Sequence, residues 1–180
     1  LNLSFFGQYS NEIKSDTNIS AGLRIEKRYT EYQDSESLTA DPSENLWGAD
    51  IGLVHTFNDS LSIFGVISKG YKASGFNLGL VPDNIRFYDA EALWMAEIGI
   101  KTISLNDLLI FNSSVFHQWR FDQQVKTSFQ LTPGDPTTFG FATLNVDESR
   151  MIGLETELNW TPNENWELYA NLGLLNGAFE

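Results

Sequence analysis

Several features that would place a protein in a familiar class are missing from this sequence. It contains no cysteine, which excludes a disulfide-stapled scaffold and a thiolate metal site. Its densest apolar run, Leu108 to Phe111, is far shorter than the roughly 18 residues that indicate a membrane-spanning helix. Positive charge is scarce, because 11 lysines and arginines against 24 aspartates and glutamates give a net charge of −13. Such a chain lacks the basic stripe that neutralises phosphates, so nucleic acid is not expected as a partner.

Motifs for catalysis and metal binding are also scarce. The two histidines, His55 and His117, are not in a metal-ligand spacing, and no nucleophile elbow, phosphate loop or GxGxxG segment occurs. Glu155 and Glu157 share a strand face, where solvation explains two carboxylates better than glycosidase chemistry does. The acidic segment 34–44 offers oxygen ligands for calcium, but without EF-hand spacing it is better explained as a solvated loop. The sequence predicts no enzyme activity, no cofactor and no metal site.

The pattern that is present has a period of two. Apolar side chains alternate with charged or small ones through Ile19 to Tyr29, Trp47 to Phe57, Ala90 to Thr102 and Ile152 to Trp160. Even Glu91 to Glu97, which is rich in helix formers, places its apolar residues at steps of two. The pattern predicts an all-β antiparallel meander of about eight long strands, over residues 1–10, 19–33, 46–57, 61–75, 89–104, 108–130, 141–160 and 166–179.

The predicted connections alternate between short and long. The short ones are polar turns around Asn58 to Ser60, Leu105 to Leu108 and Thr161 to Asn165, with a slightly longer one at Asn11 to Asn18. The long ones are the polar stretches Asp34 to Asn45, Phe76 to Phe87 and Thr132 to Gly140. Short turns at one end of a meander and long loops at the other are typical of outer-membrane barrels.

Strand length and charge favour a membrane over water as the surrounding solvent. A tilted strand crosses hydrocarbon in about 9–11 residues, and several predicted strands exceed that length. Aromatic residues flank the short turns, as at Phe57, Trp160 and Trp166, where amphipathic rings would meet the headgroups. A soluble barrel would show the same alternation, but the many charges on the polar face suit a hydrated lumen. A lysine or arginine facing lipid would cost roughly 2–4 kcal/mol at the midplane.

Four segments, in order, resemble a known family. ISKGYKASGFN, from Ile67 to Asn77, resembles a stretch common in the barrels of TonB-dependent receptors of Gram-negative outer membranes. FFGQYS followed by AGLRIE resembles a strand pair of that family. So do ALWMAEIGIKTISLNDLLIFNSSVFHQWRFDQQV and ESRMIGLETELNWTPNENWELYANLGLLNGAF. Each motif is weak alone, and their order and spacing carry the resemblance across nearly the whole chain.

The resemblance implies a particular fold, location and function. Residues 1–180 would form an internal part of a large transmembrane β-barrel, with the plug domain and the remaining strands outside this sequence. The protein would reside in the bacterial outer membrane among lipid and lipopolysaccharide. It would bind a scarce ligand such as a ferric siderophore and import it with energy from the TonB protein, without covalent chemistry. The alternative is a complete eight-stranded outer-membrane barrel with a structural or adhesive role.

Candidate ligand-binding residues lie where strands would reach the barrel mouth. The upper part of the longest strand carries Trp119, Arg120, Gln123 and Gln124, and the opening segment of the resemblance adds Tyr71 and Asn77. The group on the longest strand could contact a ligand held above the plug, and wall packing against the plug would explain it equally well.

Overall fold

The computed structural model describes residues 1–33, 39–79, 81–135 and 137–179. Its strands are β1 (Asn2–Lys14), β2 (Thr17–Tyr29), β3 (Tyr32–Gln33), β4 (Thr39–Ala40), β5 (Ser43–Asn58), β6 (Leu61–Lys72), β7 (Gly75–Phe76), β8 (Phe87–Tyr88), β9 (Glu91–Ser104), β10 (Leu109–Gln130), β11 (Phe139–Asn163) and β12 (Trp166–Phe179). One 3₁₀ turn, Asp83–Ile85, lies between β7 and β8. Among the described residues, no helix has the length and apolarity needed to cross a membrane.

Eight long strands form one antiparallel sheet in the order β1-β2-β5-β6-β9-β10-β11-β12. Each therefore pairs with its neighbours along the chain, which confirms the predicted all-β meander. The two-residue strands pair separately, β3 with β4 and β7 with β8, inside two of the long connections. Within the described part of the chain, β1 and β12 are each paired on one side only, so this sheet is open and is not a closed eight-stranded barrel.

Strand boundaries differ from the prediction at both ends of the sheet. At the long connections, β2 ends at Tyr29 and β6 at Lys72, although they were predicted to reach residues 33 and 75. At the short turns the strands are longer than predicted. β1 continues to Lys14, so the first connection is the two residues Ser15 and Asp16 rather than the longer segment from Asn11 to Asn18. The polar residues there still pair, as in Ser10 with Ser20, because ladder hydrogen bonds use the backbone and tolerate any side chain that water can solvate. β11 likewise continues to Asn163.

Side chains of the sheet divide into an apolar face and a polar face. Across one row the apolar face carries Leu53, Gly65, Ile98, Val115, Leu154 and Leu174. Across the adjacent row the polar face carries Gly52, Val66, Glu97, Phe116, Gly153 and Leu175. Trp94, Ile98, Leu154 and Leu158 share the apolar face, whereas Glu97, Lys101 and Glu155 share the polar face, as the alternation predicted.

Packing on the polar face pairs large rings with glycines. The Phe64 ring lies over Gly99, and the Phe116 ring lies over Gly153 and against Leu175. Phe116 is 8% exposed, one of the few buried hydrophobic side chains among the described residues. A ring over a glycine covers backbone that would otherwise weaken the sheet, so these pairs stabilise neighbouring strands.

Candidate functional site

The longest hairpin extends beyond its neighbours at the end of the sheet that carries the long connections. β9 pairs with β10 only as far as the Ala92–Phe121 pair, and β12 pairs with β11 only from Ser149 onward. Residues 123–130 and 139–146 therefore pair only with each other within the sheet. The connection between β6 and β9 spans residues 73–90, and its described residues bond to this extension.

Asn77 attaches that connection to the edge of β11. Its Oδ1 accepts the Thr143 backbone N–H at 2.7 Å, and its Nδ2 donates to the Thr143 carbonyl at 2.9 Å. The same Nδ2 donates to the Ile85 carbonyl at 2.7 Å. Asn77 is only 8% exposed. Its side-chain amide thus bonds Thr143 as a neighbouring strand would, and its polar groups are occupied inside the protein.

Asn145 makes the reciprocal attachment from β11 to the end of the connection. Its Oδ1 accepts the Asp89 N–H at 2.7 Å, and its Nδ2 donates to the Asp89 carbonyl at 3.0 Å. Gln124 on β10 donates through Nε2 to the carbonyls of Ala73 and Asp89, at 2.8 and 3.0 Å. Both ends of the connection are therefore bonded to the hairpin.

Glu91, the first residue of β9, connects that strand to β10 through its side chain. One carboxylate oxygen accepts from Arg120 Nη1 at 2.9 Å, and the other accepts the Gln124 backbone N–H at 3.0 Å. Glu91 is 7% exposed, whereas the Arg120 side chain is 35% exposed. A charge-assisted bond to a buried carboxylate is stronger than a neutral one, so Glu91 fixes the position of the guanidinium while part of it stays open.

The backbone of β10 leaves regular strand geometry at Asp122, although the register with β11 is the same at the Phe121–Glu148 and Gln123–Val146 pairs on either side. Asp122 has φ of 52°, a left-handed conformation that aspartate tolerates better than most residues, and its carbonyl accepts from Asn145 Nδ2 at 2.7 Å. The Gln123 side chain consequently contacts Ser149, the residue that pairs with Arg120. Arg120 and Gln123, with Gln118, line a recess of about 320 Å³ closed on one side by the end of β12.

The two other sequence-predicted residues lie apart from this recess. The Tyr71 hydroxyl contacts Arg24 Nε at 3.0 Å and donates to Glu26 Oε2 at 2.9 Å, while its ring covers Gly48. Trp119 pairs with Trp94 on the apolar face, opposite to Arg120, and its ring lies 3.9 Å from that of His117.

A second ion pair holds the start of the 73–90 connection. Arg28 Nη1 donates to Glu44 Oε1 at 3.2 Å and to the Ser74 carbonyl at 2.8 Å, and the Ser74 N–H donates to Glu44 Oε2 at 3.2 Å. Arg28 and Glu44 come from β2 and β5, so the connection is bonded to these two strands as well as to the β10–β11 hairpin.

The connection between β10 and β11 contains one titrating group with a displaced pKa. Asp135 Oδ1 accepts the Thr137 hydroxyl at 2.6 Å and the Thr137 N–H at 2.9 Å. These bonds favour the ionised form and lower the pKa of Asp135 below its ordinary value. The turn is therefore supported at neutral pH and loses this support only as the pH falls through that lowered pKa.

The remaining predicted features are distributed as follows. His55 shares a 2.8 Å hydrogen bond with Thr17 and stacks edge-on with Phe57, near the short turns. Asp34 and Glu36 of the acidic segment lie outside the described residues. Among the described residues, no three His, Cys, Asp or Glu side chains are grouped to hold a metal ion.

The structure thus brings Arg120, Gln123 and Gln124 together where the β10–β11 hairpin begins to extend beyond β9. It places Asn77, Tyr71 and Trp119 elsewhere, and whether any of the six contacts a ligand stays a prediction. Glu91, Asn145 and the left-handed conformation of Asp122 were not predicted from the sequence. The opposed faces of Trp119 and Arg120 could have been foreseen, since adjacent strand residues point to opposite sides.

Comparison with known proteins identifies the class. The family model described as TonB dependent receptor-like, beta-barrel, matches residues 2–179. The chain therefore belongs to the TonB-dependent receptor family and forms part of its barrel, a protein of the Gram-negative outer membrane. This family consists of transport receptors rather than enzymes.

Solved structures with the same fold include receptors for several metals and chelates. The ferric yersiniabactin uptake receptor FyuA from Yersinia pestis matches with a TM-score of 0.77 at 17% identity, over 99% of this chain and 27% of that one. The copper transporter OprC matches at 0.78 and 14% identity, over 99% and 30%. The siderophore receptor PirA from Pseudomonas aeruginosa matches at 0.72 and 14% identity, over 99% and 34%. This chain spans about a third or less of the length of each.

Membership of this family indicates which medium each face of the sheet contacts. The apolar face can meet hydrocarbon without cost, while Glu97, Lys101 and Glu155 need water or partners. From Trp47 to His55 the apolar face of β5 runs for nine residues, close to the length that crosses the hydrocarbon. We infer that the apolar face meets lipid and the polar face lines the barrel interior.

Proposed function

We propose that the complete receptor containing this chain imports a scarce ligand, such as a ferric siderophore, across the outer membrane with energy supplied through TonB. The family match over residues 2–179 carries this proposal. The names of FyuA and PirA, which refer to iron chelates or siderophores, support the ligand class. The name of OprC refers to copper and makes a metal other than iron the main competitor.

The proposal includes a plug domain within the barrel, encoded outside these 180 residues. It gives this chain the role of a wall segment: β2 to β11 carry the long connections, and the polar face lines the passage. The ligand would be displaced inward by movement of the plug, so no residue of this chain is required to form or break a covalent bond.

Among the candidate ligand residues, the recess favours Arg120 and Gln123. The Arg120 guanidinium has five N–H donors, and the structure uses only one of its nitrogens to bond Glu91. Gln123 lines the same recess. Donors of this kind suit the oxygen-rich, often anionic surface of a metal chelate. Gln124 and Asn77 would act indirectly, by holding the connection at residues 73–90.

Uptake by cells that carry the complete receptor tests the proposal. Deleting the gene should slow growth under iron limitation with the cognate chelate as the iron source, and deleting the gene for TonB should have the same effect. Arg120→Ala should weaken chelate binding while Trp119→Phe, on the opposite face, should leave it unchanged. Iron uptake that is independent of the receptor, together with receptor-dependent uptake of another nutrient, would overturn the siderophore assignment.

A further inference from the structure

The ladder that joins β6 to β9 is interrupted where the 73–90 connection begins. It ends at the Lys72–Glu91 pair and resumes in the short strands β7 and β8, at the Gly75–Tyr88 pair. We call the residues between these two pairs, 73–74 and 89–90, the base of the connection. Because the base lies outside both ladders, its geometry depends on side chains from other strands.

Side-chain amides of the β10–β11 hairpin bridge the base. Gln124 Nε2 donates to the carbonyls of both Ala73 and Asp89, at 2.8 and 3.0 Å, and so joins the two chain segments across the interruption. Asn145, which pairs with Gln124 on β11, bonds the N–H and the carbonyl of Asp89. These neutral hydrogen bonds are individually weak, so the base can open locally while the long ladders stay intact.

Glu91 comes directly after the base and bonds two groups of β10. Its carboxylate accepts from Arg120 Nη1 at 2.9 Å and from the Gln124 backbone N–H at 3.0 Å. The ladder between β9 and β10 begins one residue later, at the Ala92–Phe121 pair, so Glu91 is joined to β10 through its side chain. Because Glu91 is buried, its carboxylate cannot exchange these bonds for water unless the start of β9 moves.

We propose that Glu91 is a positioning residue that couples the base of the connection to the Arg120 guanidinium, so that Arg120 is held in place beside the recess only while the base is closed. Opening of the base displaces Asp89 and with it the start of β9, which carries Glu91. The guanidinium then loses its charge-assisted bond and moves into solvent, to which the Arg120 side chain is already 35% exposed.

The coupling is reciprocal by thermodynamic linkage. Any group that binds Arg120 in its held position also favours the closed base, and any change that opens the base weakens binding at Arg120. In the complete receptor this would link ligand contact at Arg120 to closure of the connection, and that step rests on the proposed function. The coupling itself does not rest on it and can be measured without a transported ligand.

Reaction of the purified complete receptor with phenylglyoxal, an arginine reagent, measures how firmly Arg120 is held. The rate of modification at Arg120 is followed by mass spectrometry of the peptide that contains it. Glu91→Gln removes the charge-assisted bond and should speed modification about tenfold. Gln124→Ala opens the base but keeps the backbone N–H that bonds Glu91, and it should speed modification about threefold. The double variant should react at the rate of Glu91→Gln, because both changes act through the same carboxylate.

Asn77→Ala is the matched control, because it loosens the same connection beyond the base. Hydrogen exchange in peptides covering residues 75–79 should rise in both Gln124→Ala and Asn77→Ala, whereas modification of Arg120 should stay at the parental rate in Asn77→Ala. A parental rate in Gln124→Ala, or equal acceleration by Asn77→Ala, would refute the coupling.

The double variant tests the route through Glu91. A further increase in the double variant over Glu91→Gln would show that Gln124 affects Arg120 by another route and would overturn the role of Glu91. If Glu91→Gln does not fold, as judged by its shift in electrophoretic mobility on heating, the comparison of Gln124→Ala with Asn77→Ala decides alone. A receptor that shows the coupling but imports no chelate would contradict the proposed function and support this inference.

Discussion

Replacing Asn77 with alanine should release the 73–90 connection without unfolding the barrel. The substitution removes both hydrogen bonds to Thr143 and the bond to Ile85, and it does so at a side chain that is only 8% exposed. A buried hydrogen bond contributes about 0.5–1.5 kcal/mol net, so three of them sum to about 3 kcal/mol of local opening free energy. The sheet itself keeps its ladder, because none of these bonds belongs to it.

Hydrogen exchange measured by mass spectrometry on the complete receptor gives a direct reading of that opening. A loss of about 3 kcal/mol corresponds to exchange on the order of a hundredfold faster in peptides covering residues 75–79 and 81–88. Leu78→Ala is the control, since Leu78 is the next residue and is 66% exposed. If Asn77→Ala and Leu78→Ala exchange at the same rate, the attachment of the connection to β11 has been misjudged.

Further predictions concern packing on the polar face and two ion pairs, Glu91–Arg120 on the polar face and Glu148–Arg150 on the apolar face. Gly153→Ala should destabilise the barrel by about 1–3 kcal/mol in a denaturant titration, because its Cβ would collide with Phe116 and Leu175, whereas Gly173→Ala adds a Cβ in open space and should be neutral. Equal midpoints for the two alanine variants would contradict the packing. Glu91→Gln should cost about 1–3 kcal/mol, since Glu91 is buried and bonded to Arg120 and Gln124. Glu148→Gln breaks the more exposed pair with Arg150 and should lower the free energy of unfolding by about 0–1 kcal/mol in the same titration. A larger loss of stability in Glu148→Gln than in Glu91→Gln would contradict this order.

Strand positions and faces were largely predictable from sequence because period-two alternation persists over long segments. In β5, for example, the residues predicted for one face, Trp47 to Phe57 in steps of two, occupy that face down to His55. The first turn was less predictable. Polar residues of β1 such as Asn11 extend the ladder just as apolar ones do, so composition alone predicted too long a turn.

The candidate site was less predictable than the fold, because long-range contacts and one left-handed residue determine it. Asn77 and Thr143 are 66 residues apart, and no local pattern signals their pairing. Asp122 interrupts the alternation of β10 and brings Gln123 to the side of Arg120, although a uniform alternation would separate them. The family resemblance gave the type of barrel, while the roles of individual residues at its mouth depend on these tertiary contacts.

The proposed function requires that the apolar face of the sheet meets hydrocarbon and that the polar face lines a hydrated interior. Ile98 and Glu97 are adjacent on β9 and lie on opposite faces, and this chain has no cysteine that would compete for a label. Nitroxide labels on Ile98→Cys and Glu97→Cys, in a complete receptor without other cysteines and reconstituted in bilayers, would report collisions with oxygen or with a water-soluble nickel chelate. We expect the label at 98 to collide mainly with oxygen and the label at 97 mainly with nickel. The reverse pattern would show that the faces have been assigned the wrong way round.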